Sequence, residues 1–368
     1  MNQNYHQNTA QSRRINERLR RRRRRRAGIV IFLLAAILIA LAAVYVGLLI
    51  RGRDDRRDPP VDGDTTPAVI ETTAAPETTA APETTAAPET TAPPETAPAP
   101  VTFTTLNLSR AEMLRGPLVL VNSSFPYTFP ANEKHLVNLY GNRSRGYQLG
   151  SAQEKLAQNA LDALNRAADA FMAATGETGL LVSNNGTYRS FDAQEKLYMK
   201  RVDAVGEAEA AKYVALPGVS EHHTGLAFDL AVYVDGKTYQ LNALETYSGF
   251  PTYLVEQGFV LRYPANKVQV TGIGYEDWHF RYVGIPHAKY MTENNLCLEE
   301  YLNTLRGYQF DGTHLLVTAG GVDYEIWYAP VAAEGDITTV MVPNGLPYSV
   351  SGNNMDGFIV TVMLGRAQ

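Results

Sequence analysis

Gly218-Val219-Ser220-Glu221-His222-His223-Thr224-Gly225-Leu226-Ala227-Phe228-Asp229, answered fifty residues later by Glu276-Asp277-Trp278-His279, is the part of this 368-residue chain that organises the rest. It offers two imidazoles, one carboxylate ligand and one free carboxylate, the parts of a catalytic zinc site that keeps an open position. His222 and Asp229 are too far apart for one helical turn. The spacing instead predicts a loop-borne His followed by an Asp on a strand over Leu226–Val234, with Gly225 allowing a tight turn and close backbone approach. His279 would be the third ligand. Glu276, three residues earlier, is expected on a short turn that holds its carboxylate beside the metal as a general base. Trp278 would exclude water there, although a core role explains a large aromatic equally well.

Single His and Asp residues in a globular domain are more often solvated or hydrogen-bonded than metal-ligating. His223 is read that way, as a neighbour facing away if His222 ligates. His6, His135, His287 and His314 have no accompanying pattern.

Working outward, Ser151–Thr175 carries the clearest helical signal. Ser151 and Glu154 are spaced as a capping box, Gly176 is a stop, and Leu156, Ala160, Leu164, Ala168 and Phe171 recur at helical intervals. Gly179–Val182 reads as a short buried strand, Asp192–Arg201 and Glu207–Val214 as helices, and His287–Leu305 as one closing helix. Helices and strands mix without a βαβ rhythm, so the expected class is α+β, with a small antiparallel sheet flanked by helices over residues 102–306. Cys297, the single cysteine, excludes an intramolecular disulfide and reads as a small buried hydrophobe on the closing helix.

After Gly307 the pattern becomes short strands, including Tyr324–Tyr328, Thr339–Val342 and Phe358–Val362. Turn signals stand at Gly320-Gly321, Asn344-Gly345 and Asp356-Gly357. Residues 307–368 are expected to form a small all-β C-terminal domain of unassigned role.

The first hundred residues differ in kind. Residues 1–27 form an Arg-rich head, with ten Arg against the single Glu17. Gly28–Ile50 is uncharged, and 23 residues at about 1.5 Å rise cross a hydrocarbon core of about 30 Å. This predicts one transmembrane signal-anchor helix. Its length and the lack of a small-residue cleavage site disfavour a cleaved signal peptide. The flanking charge keeps the head in the cytoplasm and puts the rest outside. The arginine run is therefore topological, and no nucleic-acid role is argued. Residues 51–101 contain the unit Glu71-Thr-Thr-Ala-Ala-Pro76, repeated from Glu77 and Glu83 and more loosely from Glu89 and Glu95. Such a composition predicts a disordered, polyproline-like spacer reaching on the order of 120 Å for forty residues.

Ser220-Glu-His222-His-Thr-Gly225-Leu-Ala227-Phe-Asp229 and Glu276-Asp-Trp278-His279 resemble the Ser-x-His-x-x-Gly-x-Ala-x-Asp and Glu-x-Trp-His motifs of the D-alanyl-D-alanine carboxypeptidases related to VanY, in the LAS group of zinc peptidases. Tyr188-Arg189-Ser190-Phe-Asp-Ala-Gln194 resembles the stretch that precedes the zinc motif in that family. The similarity runs over roughly Pro117–Leu305. It implies Zn²⁺ on His222, Asp229 and His279, Glu276 as base, Arg189 on the substrate carboxylate, and Ser220 and Gln194 supporting substrate or ligand shell. The implied substrates are peptidoglycan stem peptides that lose a C-terminal D-Ala. An L,D-carboxypeptidase or a wall endopeptidase on the same scaffold stays open, as does a tethered wall-binding protein without catalysis. A penicillin-type serine enzyme is disfavoured, because no Ser is followed at the third position by Lys.

Overall fold

The structure, a computed structural model, describes residues 101–366. The span expected at Gly28–Ile50, the Arg-rich head and the repeat linker lie outside the described residues. Among the described residues no helix is long and apolar enough to cross a membrane.

The chain begins with β1 (Phe103–Ser109) and continues through β2 (Leu136–Asn138), β3 (Tyr147–Leu149), β4 (Lys155–Ala157) and α1 (Gln158–Thr175). Next come β5 (Leu180–Val182), α2 (Phe191–Val205), α3 (Glu207–Ala210) and a 3₁₀ turn over Glu221–Thr224. They lead into β6 (Ala227–Val234), β7 (Lys237–Tyr239), α4 (Glu245–Ser248) and α5 (Phe250–Glu256). β8 (Phe259–Tyr263), α6 (Val268–Thr271), β9 (Glu276–Tyr282), α7 (Ile285–Glu293) and α8 (Leu298–Leu305) complete the α+β part. β10 (Leu315–Ala319), β11 (Val322–Pro330), β12 (Ile337–Pro343), β13 (Tyr348–Gly352) and β14 (Gly357–Arg366) follow.

Six strands form the sheet that carries the candidate site, in the order β3-β5-β6-β9-β8 with β7 also paired to β6. The expected antiparallel sheet needs one correction, because β3 and β5 pair parallel. Helix α1 lies between them in sequence and supplies the crossover that a parallel pair requires. α1 packs its buried face, Ala160, Leu161, Ala163, Leu164, Ala167, Ala168 and Phe171, against sheet residues such as Leu180, Val182, Phe228 and Leu230.

The expected start of that helix is also corrected. Ser151 caps nothing, and the helix begins at Gln158 after a short strand. Glu154 is instead buried, accepting from Asn185 N at 2.8 Å and from Thr187 Oγ1 at 2.5 Å. A long-range partner has taken the carboxylate that local spacing assigned to a cap. The stop at Gly176 holds, with φ of 78°. The closing helix expected over His287–Leu305 is two helices, broken where Asn295 adopts φ of 49°. The helix expected over Glu207–Val214 ends at Ala210.

The C-terminal strands form a four-stranded sheet, β10-β11-β14-β13, and a separate pair, β1-β12. Strand pairing, apolar packing and hydrogen bonds all cross the boundary drawn at residue 307. β1 pairs antiparallel with β12 along its whole length. One apolar cluster also joins Met291, Leu298, Tyr301, Leu302 and Leu305 of the closing helices to Leu315, Val317, Tyr324, Ile326 and Ile359 of the strands. His287 adds a buried polar tie, with Nδ1 at 2.7 Å from Tyr301 Oη and Nε2 at 3.1 Å from Thr361 Oγ1.

Gly225 is where local conformation matters most to the site. It closes the 3₁₀ turn with φ of 70°, and a Cβ added there would overlap Leu136 Cδ2. Its carbonyl accepts from Ala157 N at 2.8 Å, tying the turn to the start of α1. Gly225→Ala should cost about 1–3 kcal/mol from left-handed strain plus overlap. Chemical denaturation of that variant, and of the same change in a Leu136→Ala background that relieves only the overlap, separates the two contributions.

Candidate active site

Antiparallel pairing of β6 with β9 puts Asp229 directly opposite His279. The preceding 3₁₀ turn swings His222 back over the same end of β6, so His222 and His279 meet edge to face, 4.8 Å between ring centroids. One ligand atom from each of His222, Asp229 and His279 lies within 4.8 Å of the others. The expected strand for Asp229 and the loop position for His222 are both found.

Hydrogen bonds fix which atoms face inward. His222 Nδ1 donates to the Thr187 carbonyl at 2.8 Å, since a carbonyl only accepts, and its Nε2 lone pair therefore faces Asp229. His279 presents Nδ1 to Asp229 Oδ1 at 2.9 Å. Burial pushes the His222 imidazole down to about 4, with the nearby Arg189 charge adding to the effect, so it is neutral near pH 7. Two imidazole nitrogens and one carboxylate oxygen converging in a buried setting suit Zn²⁺ and leave a fourth tetrahedral position. His223 turns away as expected, donating from Nδ1 to the Arg189 carbonyl at 2.6 Å and accepting from Gly218 N.

Glu276 lies on β9 itself rather than on the short turn expected from sequence. The β8/β9 register shifts between Leu261 and Tyr263, leaving extra residues on β9. That irregularity brings Glu276 Oε2 to 3.9 Å from His279 Nδ1 despite their odd spacing along a strand. Burial raises the Glu276 carboxyl to about 7.

Arg189 precedes α2 and is held on every nitrogen. Nε donates to the Asn185 carbonyl at 2.7 Å, Nη1 to Gln194 Oε1 at 2.9 Å, and Nη2 to Asp229 Oδ2 and toward His222 Nε2, each at 2.7 Å. Gln194 is fully buried and donates in turn to the Ala215 carbonyl. It holds Arg189 and also lines the cleft beside it. Ser220 is buried and lines the cleft beside His222. The cleft has a volume of about 590 Å³, within the usual range for a ligand site, and Arg201, Tyr213, Ile273 and Trp278 line it farther out. Trp278 is half-buried in that wall.

Sequence reasoning passed over Glu221, Arg262, Arg281 and Glu299. Glu221 Oε1 accepts from Arg262 Nε and Arg281 Nη1, both at 2.8 Å, and Arg262 also forks onto both oxygens of Glu299 at 2.9 and 2.7 Å. Burial opposes the Glu221 charge, but the Arg262 and Arg281 charges outweigh it and hold its carboxyl well below the ordinary range. An acidic residue beside a His and an Arg two positions past another His carry no local mark of burial. The one available signal was alternation on β9, which puts Arg281 on the same face as His279. Cys297 is buried at the N-terminus of α8, and burial pushes its thiol up to about 12.

A family model described as VanY: D-alanyl-D-alanine carboxypeptidase matches residues 153–285. The chain is 34% identical over 271 residues to a D-alanyl-D-alanine carboxypeptidase of Enterococcus faecium, spanning 70% of this chain and 78% of that protein. Among solved structures, the vancomycin-resistance D,D-dipeptidase VanXYg in complex with a D-Ala-D-Ala phosphinate analogue is 32% identical, with TM-score 0.62. That match covers 71% of this chain and 99% of the other. A vancomycin-resistance D,D-pentapeptidase VanY in complex with Zn(II) is 33% identical, with TM-score 0.41, covering 51% of this chain and 99% of the other.

Arg262→Met should cost about 3–5 kcal/mol in denaturant unfolding, because it strands Glu221 and Glu299 without a shared cation. Both carboxyls are held below their ordinary value of 4.5 in the folded chain. Their contribution is therefore fully present above about pH 4.5 and lost as the pH falls below it, and the variant should show a shallower acid limb.

Proposed function

The chain belongs to the VanY family of D-alanyl-D-alanine carboxypeptidases, which are zinc metallopeptidases, and from that premise we propose a membrane-tethered enzyme that trims the terminal D-Ala from peptidoglycan stem peptides outside the cell. One observation carries the reading. A His-Asp-His donor set and a buried free carboxylate, Glu276, share the floor of one cleft, and a purely structural metal site needs no such base.

Zn²⁺, when bound by His222 Nε2, Asp229 and His279 Nδ1, supplies a Lewis acid that polarises the scissile carbonyl and makes water a better nucleophile near pH 7. The chain's own groups do the rest. Glu276, its carboxyl raised by burial, accepts the proton of the attacking water and returns it to the leaving amine nitrogen. Arg189 presents a planar guanidinium, and Nη2, now on Asp229, is the nitrogen placed to take the terminal carboxylate of the substrate. Gln194 holds that guanidinium in plane through Nη1. Ser220 lies within the cleft where a peptide backbone would pass.

The tether is argued from sequence. Ten arginines before the uncharged Gly28–Ile50 stretch favour a cytoplasmic head, and the Thr/Pro/Ala/Glu repeat would carry the peptidase away from the bilayer into the wall.

Full-length chain incubated with stem pentapeptide should release one D-Ala, detected by mass spectrometry, with loss on chelation and recovery on zinc addition. Glu276→Gln should lower kcat by about 10²–10⁴-fold with zinc content unchanged. No release by the zinc-loaded chain from pentapeptide or tetrapeptide would sink the carboxypeptidase reading. Arg189→Ala should raise KM about tenfold to a hundredfold for peptides with a free C-terminal carboxylate. Equal loss on C-terminally amidated peptides would remove Arg189 from that role.

A further inference from the structure

Two buried atoms in the described structure face each other without a partner: Glu221 Oε2 and His279 Nε2. They are 3.8 Å apart, and both side chains are sealed from water. That separation is longer than a hydrogen bond, yet no other polar group satisfies either atom. Glu221 is not free to turn elsewhere, because its other oxygen is held by Arg262 and Arg281 at 2.8 Å. Arg281 is itself fixed by donating to the carbonyls of Pro117 and Val119 at 2.9 and 2.8 Å.

We propose that Glu221 is a positioning residue that accepts the Nε2–H of His279 and so commits Nδ1 of that ring to the cleft. The inference rests on the zinc-peptidase reading above and adds to it a residue that acts through a ligand. A neutral imidazole has one N–H and one lone pair, and only the lone pair can ligate a metal. His222 points Nε2 inward, and the Thr187 carbonyl takes the proton on its Nδ1. His279 points the opposite nitrogen inward, Nδ1, toward Asp229 Oδ1. Nδ1–H donates to that carboxylate, which only accepts, so when zinc takes the place of the Nδ1 proton the ring's remaining proton must reside on Nε2, where the nearest acceptor is Glu221 Oε2. The two ligands thus have opposite tautomers, each set by a different buried oxygen, one from backbone and one from a carboxylate. Asp229 cannot do this for His279, because it lies on the inward side of the ring.

Glutamine at this position keeps the size and loses the pure acceptor. If its amide nitrogen faces His279, donor meets donor at Nε2. If its amide oxygen does, the nitrogen meets the Arg262 and Arg281 donors. The first orientation removes the acceptor for the outward N–H of His279, and the second keeps it only against a donor–donor clash with Arg262 and Arg281.

The test uses the full-length chain. Zinc affinity measured by competition with a chromophoric chelator should fall by about 10–100-fold in Glu221→Gln, with circular dichroism showing a folded protein. Catalytic rate at saturating zinc should recover much more than the affinity does, which a role in the chemical step would not allow. In the zinc-loaded wild-type chain, long-range ¹H–¹⁵N spectra of labelled histidine should show His279 protonated at Nε2 and His222 protonated at Nδ1. Zinc affinity within twofold of wild type in a folded Glu221→Gln would overturn the proposal. So would a wild-type His279 lacking the Nε2 proton, a readout that decides the matter even if the variant fails to fold. Absence of D-Ala release alongside the expected loss of zinc affinity would count against the proposed substrate and in favour of the Glu221 role.

Discussion

Glu221 accepts from Arg262 and Arg281 in a place where no water reaches any of the three side chains, and most of the catalytic half of the molecule is organised around that contact. A charge so enclosed is tolerated only if its partners arrive with good geometry. Here the partners come from the 3₁₀ turn before β6, from β8 and from β9, while Glu299 on α8 answers the far side of Arg262. Arg281 adds the Pro117–Val119 segment through two carbonyls. The network therefore acts as a register lock. A slip of β9 by one residue would turn Arg281 to the opposite face of the sheet and leave Glu221 short of a cation, and the same slip would carry His279 away from Asp229. Register and ligand geometry are one constraint.

That coupling explains what could be read in advance. His222, Gly225 and Asp229 were legible because their relation is local: a turn, a glycine at positive φ and the first residues of a strand lie within eight positions. His279 was legible as a member of the His-Asp-His group, but its partner strand was not, and neither was the β8/β9 irregularity that brings Glu276 beside it. A strand irregularity depends on two segments at once and leaves little trace in either. Ser151 and Glu154 show the reverse case, a sound local signal overridden from afar. Glu154 is worth more to the chain on Asn185 and Thr187, where it closes the loop leading to Arg189, than on a helix end exposed to water.

The C-terminal strands looked separable because turn signals and alternation are self-contained there. The closing helices and these strands nevertheless share one apolar cluster. Leu298, Leu302 and Leu305 of α8 belong to it together with Leu315, Val317 and Ile326, and β1 from the start of the described chain completes a pair with β12. Boundaries drawn from composition fail where two all-apolar surfaces meet, since each surface alone satisfies its own pattern. The consequence reaches the cleft, because α8 also carries Glu299. Packing of the strands against α8 and the pairing of Glu299 with Arg262 thus bear on the same helix.

The two sides of Asp229 show how one carboxylate can organise opposing demands. Oδ2 accepts from Arg189, and Oδ1 meets His279. Burial disfavours its ionised form, yet the surrounding His222, His279 and Arg189 groups outweigh that and hold its carboxyl well below the ordinary range. Glu276, a few ångströms away, is buried as well but has no guanidinium bonded to it, and its carboxyl is raised instead to about 7. Two neighbouring acids thereby diverge, one remaining an anion that gathers cations and the other poised to exchange a proton. His222 and His279 do most to hold Asp229 down and Arg189 adds to it, and Arg189 is placed by Gln194 and the Asn185 carbonyl rather than by anything in the strand pair itself. The loop before α2 is therefore tied to the candidate site, adding a buried cation against a carboxylate on β6.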